Sequence, residues 1–527
     1  MSQKFYVTTP IYYPTAKPHL GSLYTTVLAD VAARWHKLLG AQVCFLTGTD
    51  EHGQKIAQAA AQAGVSPQQF VDQLVGEYTG MWHKYGIAYD RFIRTTDPAH
   101  VRAVQTWLAQ LMARDLIYKA EYVGYYCTPC ETFVTETAAK AASADQQSRL
   151  AVTTPFCPSC QRETSYLAEE NYFFRLSQFQ EQLLTFYAQH PDFITPKERL
   201  NEVISFVSAG LKDLCLSRST VTWGIKFPGD ERHVTYVWAD ALNNYLSGVG
   251  YADPARQTEF QTYWPADLQV MGKDIVRFHA VYWPAFLMAS TLPLPKQLLV
   301  HGWIKVQDQK MSKSLGNVID PAELLTIYGA DAVRYYLVSQ LAITRDADFS
   351  IADLEQKLSS DLANDLGNLL NRTVQLAAQQ NCLTLAPVTT WPASMQQLQE
   401  QVRTLSANYA KYMQANCAYL ALSELWKVVK LANAFFHEQQ PWVLAKQDRG
   451  QFQLVLLATA HILRLVAILA WPVLPGKMTE LLQRLGHDLQ PTRGVDLVAQ
   501  LQTQPWDLAF QLTPGAPLFS RYDQKPA

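Results

Sequence analysis

Two lysines with a methionine and a serine between them form the stretch of this chain best suited to binding a polyphosphate. They are Lys310 and Lys313, within the run QKMSKSLGN at residues 309–317. A lysine ammonium brings a compact positive charge to phosphate oxygens, and a serine hydroxyl such as that of Ser312 adds a donor. A short run of lysines and serines can also be a solvated basic loop. The polyphosphate interpretation therefore needs a second site elsewhere in the chain.

A second phosphate site is predicted near the N-terminus, at His19, Gly21 and Ser22. Residues 5–9 are predicted to form a buried strand, and residues 20–39 carry apolar side chains at helical spacing. A strand, a turn containing glycine and the N-terminus of a helix together make an anion site, because the first N–H groups of the helix point at the ligand.

Polar side chains also follow the next predicted strand, residues 43–46. The sequence there is TGTDEHG, residues 47–53. Ligands bind beyond the carboxyl ends of strands in doubly wound sheets. A capped turn would explain Thr49 or Asp50 alone. It would not explain so many polar groups at the mouth of a sheet that already carries His19, so we predict a ligand site here.

Four of the eight cysteines form two Cys-x-x-Cys pairs, Cys127 with Cys130 and Cys157 with Cys160. Four thiolates in two such turns favour tetrahedral zinc. A redox dithiol is the alternative, but thioredoxin-like sites use one pair. This usage is typical of a metal site in a reducing compartment rather than of a secreted disulfide framework. We expect one structural Zn²⁺ per chain.

The order of predicted elements indicates an α/β chain of several domains within its 527 residues. Residues 78–117 are expected to be helical, and strands are expected at 236–240, 268–271 and 298–302. We predict a Rossmann-like, doubly wound parallel sheet split by an inserted zinc-knuckle domain and followed by an all-α helix bundle. The predicted parts are 1–117 and 236–320 for the halves of the sheet, 118–235 for the insertion with its knuckle at 127–160, 321–352 for a linking segment, and 353–527 for the bundle.

Charge and hydropathy limit the classes of partner. Lys plus Arg number 44 and Asp plus Glu number 46, a net charge of -2. A polyanion must therefore be bound by local basic patches rather than by a global field. The most apolar stretch, residues 454–473, is interrupted by His461 and Arg464, which favours a core helix over a membrane span. The start of the chain shows no signal-like apolar region, so we expect a cytoplasmic protein.

With these residues in hand, the chain resembles the methionyl-tRNA synthetases, a family of class I aminoacyl-tRNA synthetases, over essentially its whole length. Lys310 to Ser314 match the KMSKS signature of the class at all five positions. Residues 18–22 resemble its HIGH signature, with Ser22 where a second histidine is usual. Further blocks of resemblance are 8–13, 47–56, the four cysteines, 169–174, 236–241, 272–283, 301–321 and 438–446.

The resemblance implies that methionine and ATP·Mg²⁺ form methionyl-adenylate, and that methionine then passes to the terminal adenosine of initiator and elongator methionine tRNA. The implied catalytic residues are His19, Ser22, Lys310 and Lys313. The implied ATP site adds Gly21, Gly272, Asp274, His301, Gly302 and Ser312. The implied methionine pocket comprises Pro10, Ile11, Tyr13, Asp50, Trp238, Ala241, Leu242, Tyr245, Phe278, His279 and Trp283. Asp50 would accept the substrate ammonium, and the aromatic side chains suit a thioether.

The resemblance also implies an anticodon site in the bundle, at Asn368, Arg372 and Trp442. Asn368 and Arg372 lie one helical turn apart on one face. An unstacked base needs an aromatic platform and donors to its edges, which these side chains supply. The alternative for Trp442 is core packing after Pro441.

Two other functions stay open on the sequence. One is a class I synthetase for another small apolar amino acid. The other is a catalytically inactive tRNA-binding protein on a synthetase fold, which only Ser22 favours. We expect a monomer, because the chain shows no counterpart of the family's optional C-terminal dimerisation and tRNA-binding appendage.

Overall fold

A six-stranded parallel sheet lies at the centre of the protein. A computed structural model describes residues 3–128, 132–134, 155–158, 161–306, 309–310, 319–341 and 343–522. In chain order the strands of the sheet are Lys4–Thr8, Gln42–Thr49, Arg91–Arg94, Ile194–Thr195, Leu268–Gly272 and Leu298–His301. Their spatial order is third, second, first, fifth, sixth, fourth. The order reverses beside the first strand, which is where doubly wound sheets bind ligands. The predicted doubly wound sheet is confirmed.

The first half of the sheet alternates strands with helices, as predicted. The first helix is Leu20–Leu38, and the others in this half are Gln54–Ala63, Pro67–Lys84 and Pro98–Ala113. The expectation that residues 78–117 are helical throughout is wrong, because the strand Arg91–Arg94 lies between the last two helices. That strand has four residues and a single buried side chain, Ile93, so it lacks the apolar alternation by which strands are recognised.

Residues 117–235 form mostly antiparallel structure. Ile117–Cys127, Thr132–Val134, Ser165–Phe174 and Leu214–Cys215 make a four-stranded sheet. Ser217–Arg218, Lys226–Phe227 and Asp230–Thr235 make a three-stranded one, and the helices are Gln180–Gln189 and Lys197–Ser208. The strand Ile194–Thr195 pairs with Leu298–His301 at the edge of the central sheet. The predicted insertion, 118–235, therefore contributes one edge strand to the sheet that it interrupts.

The second half contains one error of prediction, at residues 236–240. These residues do not form a strand; after the strand Asp230–Thr235, the helix Val237–Leu242 begins. The N–H groups of Ala239 and Asp240 both donate to the carbonyl of Tyr236, at 2.9 and 3.1 Å. A short apolar run is compatible with either element, and here the helix is correct. The predicted strands at 268–271 and 298–302 are confirmed. The remaining helices of this half are Asn244–Ser247, Gln257–Tyr263 and Trp283–Ala289, the last continuing the π-helix Phe278–Tyr282.

Helices dominate the chain after residue 320. They are Pro321–Tyr328, Ala330–Gln340, Ile351–Lys357, Asn368–Gln379, Ala393–Gln414, Ala418–Glu438, Pro441–Gln447, Arg449–Ala470, Pro475–Arg484 and Leu497–Thr503, with the π-helix Leu358–Gly367 before Asn368. Short strands lie at Ile304–Val306, Gln309–Lys310, Ala347–Asp348, Thr384–Leu385 and Phe510–Gln511. The predicted linking segment thus contains two full helices.

A buried ion pair joins the first helix to the C-terminal helices. Arg334 donates to Asp30 of the first helix at 2.7 Å and to the carbonyls of Pro472 and Val473 at 2.8 and 2.9 Å. Both charged side chains are fully buried. Apolar side chains around them form one continuous core that includes Leu23 and Leu463. The first helix and the bundle are therefore packed as one body.

One helix among the described residues, Arg449–Ala470, is long and apolar enough to cross a membrane by length and composition. Most of the apolar stretch of this helix is buried inside the protein. It packs against the neighbouring helices, as a core helix does.

Candidate active site

The first helix begins at His19, which caps it. The side chain of His19 accepts a hydrogen bond at Nδ1 from the Ser22 N–H at 3.2 Å, and the Ser22 hydroxyl oxygen accepts one from the His19 N–H at 3.0 Å. This reciprocal pair satisfies two N–H groups of the first turn. Because Nδ1 accepts, a neutral His19 ring carries its proton on Nε2. The capping box therefore fixes both the orientation and the tautomer of an exposed histidine.

Ser22 has a different role from the one that a phosphate-binding hydroxyl would have. Its side chain is 3% exposed, and its hydroxyl donates to the His19 carbonyl at 2.7 Å. The hydroxyl hydrogen is thus already used inside the protein. The departure from the usual second histidine leaves a residue that positions His19.

The ATP residues predicted in the second half of the chain come together with this helix. Gly272 and His301 are partners on adjacent parallel strands. His301 Nε2 lies 2.7 Å from the Thr25 hydroxyl on the first helix, and that hydroxyl oxygen lies 3.1 Å from the Gly21 carbonyl oxygen. Burial lowers the pKa of His301, so it is neutral. The two halves of the predicted ATP site therefore meet where the strand order reverses.

Two glycines of this site make close contacts, and one of them, Gly302, is required by its contact. A Cβ at Gly272 would lie 2.7 Å from the Asp274 carboxylate, and one at Gly302 would lie 2.3 Å from the Arg345 carbonyl. The second contact is with backbone, which cannot move aside cheaply. Lys310 lies on the strand Gln309–Lys310. Ser312 and Lys313 lie outside the described residues.

A stacked pair of aromatic rings forms one wall of the predicted methionine pocket. The rings of Trp238 and Phe278 are 3.7 Å apart at an angle of 4°, and His279 meets Trp238 edge-on at 6.2 Å. Tyr245 lies 5.8 Å from Trp283. The predicted residues Ala241 and Leu242 are buried on the same short helix as Trp238, which we call the pocket helix, Val237–Leu242.

His279 is a neutral acceptor within this pocket. Its Nδ1 lies 3.0 Å from the Ile275 carbonyl and its Nε2 lies 2.7 Å from the Tyr245 hydroxyl. Because a carbonyl can only accept, Nδ1 carries the proton and Nε2 accepts from Tyr245. Burial lowers the pKa of His279 to about 4. The pocket therefore presents a neutral ring to a neutral side chain.

The residues predicted for the polar end of the pocket lie side by side just beyond the carboxyl ends of the first two strands. Tyr12 bridges Thr49 in parallel, and the Asp50 N–H donates to the Tyr12 carbonyl at 2.9 Å. This places Pro10, Ile11 and Tyr13 next to Asp50. The following helix is capped by Gly53, so the alternative of Asp50 as a helix cap is wrong. Asp50 is 3% exposed, which puts its carboxylate inside the fold.

Two buried carboxylates near Asp50 were not predicted from the sequence. Glu51 accepts from Arg94 at 2.7 and 2.9 Å and from Thr49 at 2.6 Å. Asp240 accepts from His52 and from His100, each at 2.7 Å. Arg94 is far from Glu51 in the sequence, and His52 and His100 are far from Asp240, so no residue spacing predicts these pairs.

Two of the four predicted zinc ligands, Cys130 and Cys160, lie outside the described residues. The other two, Cys127 and Cys157, are fully buried in one small cluster with Val134. The Cys157 N–H donates to the Arg162 carbonyl, and Gln161 has a positive φ of 56°. No group of three or more ligating side chains is found within the described part of the chain. The buried thiols fit a metal knuckle, but a zinc site is not confirmed.

The predicted anticodon residues lie on two neighbouring helices of the bundle. The Arg372 guanidinium lies 5.3 Å from the Trp442 ring centroid and 5.1 Å from that of Phe436. Trp442 is 37% exposed. Core packing, the alternative for Trp442, does not agree with that exposure. Asn368 is half-buried at the start of the helix that carries Arg372.

Comparison with known families places the chain in a class. The family model "tRNA synthetases class I (M)" matches residues 5–374, about seven tenths of the chain. A second model, "Anticodon binding domain of methionyl tRNA ligase", matches residues 387–521. The central sheet is thus that of a class I tRNA synthetase.

Individual relatives narrow the class to a family. A methionine–tRNA ligase of Caldanaerobacter subterraneus subsp. tengcongensis is 46% identical over 492 residues, 92% of this chain and 74% of the relative. That of Thermotoga maritima is 40% identical over 526 residues, 99% and 81% of the two chains. The structure of Mycobacterium tuberculosis methionyl-tRNA synthetase in complex with methionyl-adenylate is 37% identical, with a TM-score of 0.92 over 98% of this chain and all of that one. This chain belongs to the methionyl-tRNA synthetase family.

Proposed function

We propose that this protein is an ATP-dependent methionine–tRNA ligase, which forms methionyl-adenylate and transfers methionine to the 3′ adenosine of initiator and elongator methionine tRNA. The observation that carries the proposal is the aromatic cluster of Trp238, Phe278, Tyr245 and His279, in a fold whose first helix is capped by His19. A relative of the same fold over almost the whole chain is described as a complex with methionyl-adenylate. An apolar pocket next to an anion site suits that intermediate.

Methionine recognition rests on a division of the pocket into two ends. Asp50 is the acceptor for the substrate ammonium, at the end formed by the first two strands. The Trp238–Phe278 stack and Trp283 enclose the side chain, because a polarisable thioether packs well against aromatic rings. His279 is held neutral, so it adds no charge that would favour a polar competitor.

Adenylate formation needs positioning and charge stabilisation rather than a protein nucleophile. The substrate carboxylate attacks the α-phosphorus of ATP, and pyrophosphate leaves with the electrons of the broken P–O bond. A neutral His19 ring carries its proton on Nε2, because its Nδ1 accepts the capping bond, and we propose that this N–H donates to phosphate. Lys310 and Lys313 would neutralise the leaving pyrophosphate, and Gly272, Asp274 and His301 would hold the nucleoside. Mg²⁺ would accompany the phosphates, as it does for nucleotide substrates in general.

Ser22 does not favour the alternative of an inactive tRNA-binding protein. Its two hydrogen bonds keep His19 at the start of the helix, so the departure from the usual signature preserves the catalytic side chain. One preorganised donor of this kind contributes on the order of 3 kcal/mol in the transition state.

The tRNA is bound at a distance from the chemistry. Trp442 offers a ring face for an unpaired anticodon base, and Arg372 and Asn368 offer donors to base edges. Cys127, Cys130, Cys157 and Cys160 would hold one structural Zn²⁺ in the insertion, where four thiolates supply folding energy when the metal binds. We further propose that the protein acts as a monomer in the cytoplasm, with the domain boundaries predicted above.

Amino-acid-dependent exchange of pyrophosphate into ATP tests the proposal. The assay is run with methionine, leucine, isoleucine, valine and cysteine at equal concentration. We expect exchange with methionine, and a methionine KM that rises in Trp238→Ala. Exchange with another amino acid would identify a synthetase of different specificity. No exchange with any of the five, by protein that still binds methionine tRNA, would identify an inactive binding protein.

A further inference from the structure

A buried carboxylate connects the pocket helix to two other elements of the fold. Asp240 lies on that helix and is fully buried. Its Oδ2 is 2.7 Å from His52 Nδ1, and its Oδ1 is 2.7 Å from His100 Nε2. His100 Nδ1 is in turn 2.7 Å from the Ser247 hydroxyl. We call these four side chains the Asp240 network.

The directions of the hydrogen bonds in the network follow from the charge on its carboxylate. Burial alone would raise the pKa of Asp240, but His52 first and then His100 outweigh it and hold that pKa below its ordinary value. Asp240 is therefore ionised and can only accept hydrogen bonds. Both histidine nitrogens that face it must carry protons, and a neutral His100 then accepts at Nδ1 from Ser247. Every donor in the Asp240 network points towards the Asp240 carboxylate.

The network reaches both ends of the proposed pocket. His52 follows Asp50 by two residues, in a loop that Trp223 holds by donating to the Glu51 carbonyl at 2.6 Å. Trp238 and Ala241 flank Asp240 on the pocket helix. That helix has six residues and no side-chain cap, so its own hydrogen bonds cannot fix its orientation. The orientation must come from contacts such as those of Asp240.

We infer that Asp240, with His52 and His100, positions the Trp238 side of the pocket relative to Asp50 and so sets the affinity for methionine. These are positioning residues, because none of them is placed against the substrate. The inference rests on the proposed methionine pocket. It gives the polar residues of the Asp240 network a part in methionine recognition. They would hold the aromatic residues in position, which the aromatic residues cannot do alone.

Misplacement by about 1 Å can cost on the order of 100-fold in a positioned site. We expect His52→Leu and His100→Leu each to raise the KM for methionine at least tenfold in the exchange assay, with the KM for ATP changed less than twofold. His52→Asn keeps a donor about where Nδ1 lies, and His100→Gln keeps one about where Nε2 lies. We expect these conservative variants to recover most of the affinity.

Ser290→Ala is the matched control for a purely structural effect. The Ser290 hydroxyl accepts a hydrogen bond from Trp107 Nε1 at 2.8 Å, and this contact is buried. Trp107 lies on the helix Pro98–Ala113, which also carries His100. Its loss should lower the melting temperature and leave the methionine KM unchanged. If the Asp240 network were merely structural, His52→Leu and His100→Leu would also lower the melting temperature and leave the methionine KM unchanged.

The outcomes separate the network from the pocket. If His52→Leu and His100→Leu resemble Ser290→Ala, the inference is overturned. If they do not fold, the isosteric Asp240→Asn decides, since it supplies one acceptor where the network uses two: a raised methionine KM supports the inference and an unchanged one overturns it. Trp238→Ala, run in parallel, tests the pocket itself. If it leaves the methionine KM unchanged, the pocket assignment fails and the inference with it.

Discussion

Trp442→Ala is the substitution that most directly separates tRNA recognition from chemistry. The indole is 37% exposed, and beside it lies the Arg372 guanidinium at 5.3 Å. Stacking of one base on an aromatic side chain is worth about 1–3 kcal/mol. At about 1.4 kcal/mol for each factor of ten, the change should lower kcat/KM for methionine tRNA about 5- to 150-fold. Pyrophosphate exchange without tRNA should keep its rate.

The effect on stability should be small, because Trp442 has little to lose from the core. Its contact with Arg372 is worth about 0.5–1 kcal/mol at an exposed position. Trp391 provides a matched control in the same region. It is 8% exposed, and its Nε1 donates to the Trp506 carbonyl at 3.0 Å. Trp391→Ala should cost about 3–5 kcal/mol of unfolding free energy, as buried tryptophans do.

The assays are aminoacylation with varied tRNA, tRNA-independent exchange, and thermal unfolding of both variants and the wild type. The reasoning is refuted if Trp442→Ala reduces exchange and aminoacylation alike, with a melting temperature lowered as far as in Trp391→Ala. Trp442 would then be a packing residue, and the anticodon assignment would rest on Asn368 and Arg372.

Four further changes test other parts of the site. Lys313→Ala should lower the rate of adenylate formation far more than methionine affinity, because the lysine's positive charge stabilises negative charge that develops only as pyrophosphate leaves. Equal losses of rate and affinity would contradict this. Ser22→Ala should reduce exchange severalfold and cost about 0.5–2 kcal/mol of stability, since it removes a capping side chain; an unchanged rate would show that the cap does not matter. Tyr245→Phe leaves His279 Nε2 buried without its donor, at a cost of about 1–3 kcal/mol, and should weaken methionine binding measured by calorimetry. Cys157→Ala should abolish stoichiometric zinc in metal analysis and destabilise the insertion while the bundle keeps its helicity; wild-type protein purified without zinc would argue against the site.

Local pattern was enough to predict the elements that carry the phosphate site. The first strand and the first helix follow from residues within 35 positions of one another, and both are confirmed. Gly21, expected in a turn before the helix, is instead the second residue of the helix. The strand Arg91–Arg94 and the pocket helix could not be predicted in this way. The first is too short and too polar to show a period. The second is a run of six residues in which only Asp240 is polar, and so short a run is compatible with a strand or a helix.

The residues of the proposed pocket could be predicted only in part. A family resemblance identifies residues that contact a substrate, but it does not identify the residues that hold those side chains in place. Trp238 and Phe278 were expected, and they stack. The pairing of Asp240 with His52 and His100 joins positions 188 and 140 residues apart, and it exists only once the sheet has formed. Ser22 shows the opposite case. It was expected to contact phosphate, and its hydroxyl is turned inward to the His19 carbonyl.

The buried pair of Asp30 and Arg334 has a consequence for how this chain can be divided. A fragment that ends at the predicted boundary at residue 352 would keep Arg334 and lose the Pro472 and Val473 carbonyls that accept two of its hydrogen bonds. Arg334 would keep its ion pair with Asp30, but each buried N–H left without its carbonyl acceptor costs about 1–3 kcal/mol. The helix that presents His19 would lose its support at the same time. The catalytic half and the bundle are consequently not interchangeable modules: a chimera between relatives would have to carry both sides of this junction from one parent.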